Sequence, residues 1–374
     1  MDAARKKVNQ RAGVLICGAY GMHNLGDDAV LGALLAELRS IDPDMPITVL
    51  SRSPEETARE HNVAALHMFN VPGFLKAMGE CRLYVNGGGS LIQDVTSTRS
   101  LLYYLFTLWA AKRRGCRVMM YGCGIGPVNR PGNRRLAGRI IDRNVDAITL
   151  RGSRSREALA EFHVTRPEIL VTSDPALFLK SAPAPEIDRA MEQMGLEPHG
   201  RYFGFCVRRW PGMEEKAPLF AAAADYAYEK YGMHPVLLTV NSDQDEPITA
   251  RVRALVRAPC AQASGQIPLE TMIGVISRMS GVVAMRLHAL IFAASQAVPL
   301  AAVSYDPKVA SFLDDLSQSN YLDYATLHTA EALFALVDAV ACADRDALRA
   351  ATGRVMEMES RNVETARRLL ESGA

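Results

Sequence analysis

The sequence has no excess of charge of either sign, no paired-cysteine spacing and no long hydrophobic run, and each absence closes off a class of function. Its 374 residues carry 42 Lys and Arg against 41 Asp and Glu, a net charge of +1. A chain so balanced has no global field that draws it to nucleic acid, and any anion it binds must be held by local charges. Seven cysteines are scattered with no CxxC among them. That is neither a disulfide framework nor a zinc pattern, and it reads as reduced thiols in a cytoplasmic protein. The polar, basic segment Met1–Gly13 precedes an apolar run, Val14–Cys17, that is too short for a signal-peptide core. The longest apolar stretch, Leu101–Ala111, falls short of the roughly 20 residues that a spanning helix requires. No transmembrane segment is expected. No cluster has metal-ligand spacing, and neither a dinucleotide fingerprint, a P-loop nor a GxSxG elbow is present. Chemistry without metal or cofactor is the expectation.

What is present is an alternation of short apolar runs and amphipathic windows. Hydrophobic residues make up 49% and charged residues 22%, an ordinary globular balance, and the length suits two domains of Rossmann size. Gly13–Cys17, Ile47–Leu50, Leu83–Val85, Val118–Tyr121, Ala147–Leu150 and Ile169–Val171 read as strands, with helical windows between most of them. The helix beginning near Asp27 puts Val30, Leu31, Leu34, Leu35 and Leu38 on one face. Lys180–Ile187, with Pro183 and Pro185, interrupts the rhythm and reads as a linker. The alternation resumes with Tyr202–Val207, Val236–Val240, Gly281–Ala284 and Leu300–Val303. Such alternation implies parallel sheets covered on both faces. The expected architecture is α/β, two doubly wound Rossmann-like domains facing a cleft: residues 1–182, residues 187–344, and a terminal helix in 345–374 that packs back on the first domain.

Three glycine-rich loops close strands of the first domain. Gly18–Asp28 follows the first strand, Asn86-Gly87-Gly88-Gly89-Ser90 follows Leu83–Val85, and Gly122–Pro127 follows Val118–Tyr121. Loops of this kind let a ligand meet backbone N–H groups. Asp27 and Asp28 also suit the first turn of a helix, so capping and ligand contact both stay open there. Gln93 and Asp94 beside the triple glycine favour a binding role over a bare turn.

Cations at strand ends are the sharper signal. Arg286 and His288 follow the strand Gly281–Ala284 and open a helix, Ala289–Ala294, that is apolar all round and so buried. Lys308 follows Leu300–Val303, behind an Asp306 that reads as an N-cap and Pro307 in the first helical position. Arg151 follows Ala147–Leu150. A cation in the first turn opposes the helix dipole, and an anion held between the two resolves the conflict. Arg208, Arg209 and Trp210 follow another strand and are candidates to line the cleft. Arg130, Arg134, Arg135, Arg139 and Arg143 form a basic stretch that reads as a solvated face, with contact to lipid pyrophosphates or an anionic membrane surface as the alternative.

The ordered set GAYGMHNLGDDAVL, YVNGGGSLIQDVTSTRSLLYYL, YGCGIGPV, TSDPAL and MRLHALIFAASQAVPLAAVSYDPKV resembles the bacterial polysaccharide pyruvyl transferases, closest to the CsaB branch that acts on cell-wall polymers. The likeness runs from about Gly13 to Leu316. It implies a GT-B-like fold and transfer of the pyruvyl group of phosphoenolpyruvate, the donor substrate, to a sugar such as N-acetylmannosamine as a cyclic ketal, with release of phosphate. It also implies donor-side catalytic roles for Arg286, His288, Lys308 and Arg151. Many relatives have Asp after that last arginine, where this chain has Gly152, which leaves a neighbouring carboxylate in question. The acceptor, a lipid-linked glycan that could be met at the inner membrane surface, is expected against Asn24, Asp27, Gly88, Gly89, Gln93, Asp94 and Arg208, with the base being either Asp27 or Asp94. The rival reading is a nucleotide-sugar glycosyltransferase of the same architecture.

Overall fold

The computed structural model describes residues 11–264, 267–358 and 360–372. The chain forms two compact units. The first takes the described residues up to Met22, then Val30–Pro175, then those from Glu357 onward; the second takes His23–Ala29 and Ala176–Met356.

In the first unit β1 (Val14–Cys17), β2 (Ile47–Ser51), β3 (Ala64–His67), β4 (Leu83–Gly87), β5 (Arg117–Cys123), β6 (Ala147–Leu150) and β7 (Glu168–Val171) form one sheet. Its order is β3-β2-β1-β4-β5-β6-β7, and every pairing is parallel. Successive residues of a strand point to opposite faces, and both faces here are core. Leu15 and Cys17 of β1 join one apolar cluster with Tyr84, Val118 and Met120. Val14 and Ile16 join the other with Leu83, Val85, Met119 and Tyr121. Burial on both sides is why these strands read as unbroken apolar runs.

The second unit repeats the plan with β8 (Tyr202–Cys206), β9 (His234–Leu238), β10 (Ala261–Ala263), β11 (Met279–Ala284), β12 (Leu300–Ser304) and β13 (Tyr321–Asp323). The order is β10-β9-β8-β11-β12-β13, again all parallel. In each sheet the strand order reverses at one point, between β1 and β4 and between β8 and β11. Crevices at such switch points, outside the carboxyl ends of the strands, are where open α/β sheets bind ligands.

Several boundaries differ from the sequence expectation. The units part at Pro175 and Ala176, ahead of the proline-rich segment. Pro183 is the N-cap of a helix, Ala184–Gln193, and the buried Ile187 of that helix packs on Gly274. Those prolines start a helix of the second unit and do not form a linker. The single terminal helix is two, Arg345–Glu357 and Ser360–Glu371. Residues up to Met356 group with the second unit, so only the last helix belongs with the first. Strands β3, β10 and β13 were not anticipated. Among the described residues no helix is long and apolar enough to cross a membrane.

The last helix completes the first unit's core. Ala366 and Leu369 pack with Met119, Tyr121 and Ala147. The buried Asn362 side chain accepts a hydrogen bond from the Thr172 hydroxyl at 3.0 Å. Truncating a buried leucine removes transfer energy and leaves a cavity. Leu369→Ala is therefore expected to destabilise the first unit by about 2–3 kcal/mol, read as a lower midpoint in urea. An unchanged midpoint would show that this helix is not part of the core.

Candidate functional site

At the switch point of the second sheet, Arg286 follows β11 and caps the helix Leu287–Ser295. Residues Ala289–Ala294 of that helix are all buried, as an all-apolar pattern implies. The Arg286 Nε donates to Oδ2 of Asp245 at 2.6 Å, and Nη2 donates to Gln244 at 3.3 Å. Asp245 is fully buried. It stands in the first turn of the helix Ser242–Leu255, which Asn241 caps by accepting from the Gln244 N–H. Its other oxygen accepts from the Arg209 backbone N–H at 2.9 Å.

Arg208, just beyond neighbouring β8, lies between two rings. Its guanidinium carbon is 4.3 Å from the Tyr305 centroid and 5.1 Å from that of Trp210, within cation–π range. Nη1 donates to the Tyr305 hydroxyl. Its buried Nε has no partner among the described residues. Burial lowers the Arg208 pKa; Tyr305 and Asp245 favour its charge, and Arg286 opposes it. At Arg286 burial also works against the charge, but the bond to Asp245 outweighs it and the pKa is raised. Arginine stays protonated in either case. Of these two mutually repelling guanidiniums only Arg286 has a carboxylate bonded to it.

His288, two residues after Arg286, is half-buried with its ring 6.2 Å from that of Phe292. It packs against Gly26, where a Cβ would come within 2.1 Å of the histidine Nδ1. The loop carrying Gly26 is tied to the same unit. Leu25 N–H donates to the Val240 carbonyl at 3.0 Å, and Asn24 forms a β-bridge with Asn241. Asn24 also donates to the Asp27 carboxylate. Asn24 and Asp27, expected on the first-domain side, therefore group with the second unit. Lys308 occupies the expected first turn, with Asp306 as N-cap accepting from its backbone N–H at 3.1 Å. Its ammonium pairs with that same Asp306 at 3.5 Å.

Arg151 belongs to the first unit, where it joins three loops. Nη1 meets Asp174 at 2.8 Å, Nη2 donates to Ser90 at 3.1 Å, and the backbone N–H donates to the Cys123 carbonyl. Both partners of this ion pair are buried, with 8% and 2% of their side chains exposed. A Cβ on Gly124 would strike Ser90 and Arg151. The carboxylate paired with Arg151 is that of Asp174, after the next strand.

Four residues expected to bind acceptor also hold places in the scaffold. Gly88 and Gly89 are buried, with φ of 65° and 67°. A Cβ on Gly88 would lie 1.8 Å from Val30, so packing against the first helix already accounts for glycine there. Gln93 closes its own loop through the hydroxyl and N–H of Thr96. Asp94 accepts from the Asn129 and Arg130 N–H groups and the Asn133 amide, at 2.7, 3.0 and 2.9 Å. Desolvation pushes its pKa up, but these bonds prevail and hold it below the ordinary value. That is a helix cap, because Arg130 at the N-cap of Pro131–Asn144 offers none of its own, and it is a poor base.

Residue-level reading missed Asp245, Tyr305, Ser90 and Asp174 as partners of the arginines. The available signal was an acid in the first turn of a capped helix for Asp245, and a place inside already noted motifs for the others.

A family model described as polysaccharide pyruvyl transferase matches residues 24–307. No curated protein matches the sequence. Among solved structures, Anabaena HepE in complex with UDP and glucose superposes with a TM-score of 0.63 at 11% identity, covering 95% of this chain and 99% of that one. UDP-GlcNAc 2-epimerase from Methanocaldococcus jannaschii gives 0.60 at 11%, covering 93% and 99%. The E. coli ADP-heptose LPS heptosyltransferase II gives 0.51 at 14%, covering 88% and 98%. At such identities the likeness is one of fold, and that fold is GT-B-like.

The Asp94 cap has a testable signature. Losing a cap costs about 1–2 kcal/mol, so Asp94→Ala is expected to lower unfolding stability by that amount at pH 7. The folded-state pKa is depressed, so the contribution is present above the unfolded value and fades as pH falls below about 3.8. A wild-type–mutant difference that persisted unchanged to pH 2 would contradict the cap.

Proposed function

The chain belongs to the polysaccharide pyruvyl transferase family, and from that premise we propose that its donor is phosphoenolpyruvate and its acceptor an N-acetylmannosamine-type sugar of a lipid-linked cell-wall polysaccharide precursor. The observation that carries the donor assignment is two largely buried, mutually repelling guanidiniums with one carboxylate, Asp245, bonded to Arg286 alone, while the Arg208 Nε has no partner among the described residues. Such an arrangement favours an anion. Phosphoenolpyruvate offers a carboxylate and a phosphate monoester carrying about −1.5 to −2 charge at neutral pH. Two of the five N–H donors of Arg286 are used within the protein, which holds the fork rigid while leaving the rest for ligand.

In this reading the imidazolium of His288 protonates the methylene carbon of the donor, since histidine exchanges protons near neutral pH. A sugar hydroxyl adds to the adjacent carbon and gives up its proton to Asp27. The second hydroxyl then forms its bond to that carbon as the bond to the phosphate oxygen breaks; phosphate leaves with the electron pair and a proton, and the product is a cyclic ketal. Asp27 is favoured over Asp94 because it adjoins Gly26, on which His288 packs, whereas Asp94 is consumed as a cap. Arg286, Arg208 and Lys308 meet the charge that develops on the leaving oxygen. Arg151 is assigned to the same reaction from its motif.

Three variants separate the roles. Arg286→Ala and Lys308→Ala each remove a charge-assisted contact worth about 1.5–3 kcal/mol, so donor affinity by calorimetry is expected to fall about ten- to a hundredfold. His288→Gln keeps reach and polarity but cannot shuttle a proton. It is expected to bind phosphoenolpyruvate nearly normally while phosphate release drops about 10²–10⁴-fold. Near-wild-type turnover of His288→Gln would remove the proton-transfer role.

The leaving charge is met by guanidinium and ammonium groups, so full activity is expected after exhaustive chelation; restoration by a divalent ion alone would overturn this chemistry. The nucleotide-sugar alternative predicts thermal stabilisation by UDP. Stabilisation by phosphoenolpyruvate alone, with a pyruvyl-ketal product in the mass spectrum, decides for pyruvyl transfer.

A further inference from the structure

We propose that the outer face of the helix Thr98–Arg113 in the first unit is a docking surface for an anionic lipid bilayer. The inner face of this helix, with Leu101, Leu105 and Leu108, is fully buried. A helix on the surface of a globular domain ordinarily turns a polar face outward. This one turns out Leu102, Phe106 and Trp109, which are 42%, 38% and 39% exposed and fall at i, i+4 and i+7 on one stripe. Arg99 and Arg113 continue that stripe at its two ends, and the Arg113 guanidinium lies 5.7 Å from the Trp109 ring.

The apolar ridge extends beyond the helix. Phe106 rests edge-on against the buried Phe74 at 6.3 Å, and Tyr103 meets the exposed Phe69 at 5.7 Å. Phe69 is 57% exposed, with the Arg52 guanidinium 5.6 Å from its ring. Nine large apolar side chains stand exposed among the described residues, and Leu102, Phe106, Trp109, Phe69 and Val71 are five of them. That is a concentrated patch and not the usual scatter.

Charge selects the occupant. The helix Pro131–Asn144 packs against Thr98–Arg113, and Ala137 and Ile141 share one core cluster with Leu101 and Leu105. The outward faces of both helices therefore leave the same side of the sheet. Together they carry seven Lys and Arg against one acid, Asp142, in a chain whose net charge is +1. Asp142 accepts from the N–H groups of Thr165 and Arg166. Arg135, Arg139 and Arg143 are exposed and form their own i, i+4, i+8 stripe. Aromatic and leucine side chains beside arginines, on a helix too polar at its ends to span, are the chemistry of an interfacial surface on anionic lipid. A second copy of the chain is the poorer fit, because a two-fold contact would set this cationic face against itself.

The test needs neither donor nor acceptor, so its result is independent of the reaction assigned above. The protein is sedimented with large unilamellar vesicles of phosphatidylglycerol and phosphatidylcholine, or of phosphatidylcholine alone. Expected is binding to the anionic vesicles that weakens with salt, with a blue shift of Trp109 emission read in a Trp210→Phe background, where it is the sole tryptophan. Phe106→Ser with Trp109→Ser should reduce partitioning at least tenfold. Arg135→Glu with Arg139→Glu, which leaves the apolar stripe intact, should do the same and abolish the preference for phosphatidylglycerol. Wild-type protein that ignores anionic vesicles, variants that bind as wild type, or a dimer that the Phe106/Trp109 variant dissolves would each overturn the proposal.

Discussion

The Asp245 carboxylate is the constraint on which the second unit's site rests. It is fully buried, and its two oxygens reach in different directions: one to the Arg209 N–H beyond β8, the other to the Arg286 guanidinium beyond β11. Asp245 itself follows β9. Three neighbouring strand ends are thereby tied through a single side chain. A buried ion pair is poor evidence of net stability, but removing one partner strands the other and typically costs about 3–5 kcal/mol. What such a pair supplies here is geometry. The guanidinium is fixed at its Nε edge, which leaves a pre-oriented fork and not a mobile chain.

The two arginines at this switch point are perturbed in opposite senses, and the difference is informative. Arg286 has its carboxylate and is held more firmly in the charged state. Arg208 has only rings and a phenol within direct reach, and burial acts against its charge with Arg286 adding to the penalty. A bound dianion would relieve both terms for Arg208. The first unit solves a related problem differently: Arg151 is neutralised by Asp174 and anchored on Ser90, so its charge is already matched. Sequence alone grouped Arg286 and Arg151 as equivalent cations at strand ends and set Arg208 apart as a candidate to line the cleft; their surroundings make all three unequal.

How much was legible in the sequence follows from burial. Strands at the centre of each sheet are covered on both faces, and their apolar runs give them away to within a residue or two. The three strands not anticipated, β3, β10 and β13, are all edge strands with half-exposed patterns; the remaining edge strand, β7, was legible from its Ile169–Val171 run. The helix start at Asp306-Pro307 was readable because capping chemistry is local, and the helix after Arg286, which makes no side-chain cap, was readable from its apolar run. Asp94 was misread for the opposite reason: the N–H groups it serves lie 35 residues further on, at a helix whose own N-cap residue supplies nothing. The His23–Ala29 loop was likewise assigned by its neighbours in sequence, and its hydrogen bonds to Val240 and Asn241 are visible only in three dimensions.

The glycine loops show why pattern alone could not sort binding from packing. A glycine is required wherever a Cβ has no room, and the sequence does not say what occupies that room. At Gly88 the occupant is Val30, a core side chain. Gly124 makes way for Ser90 and Arg151, and Gly26 for the ring of His288. The first makes room for an apolar packing side chain, the other two for polar and charged ones. A substituent at Gly26 would displace that imidazole, so the backbone and the position of the ring are specified together. The loop that reads in sequence as a meeting place for ligand and backbone N–H groups is, at that position, a seat for the His288 ring.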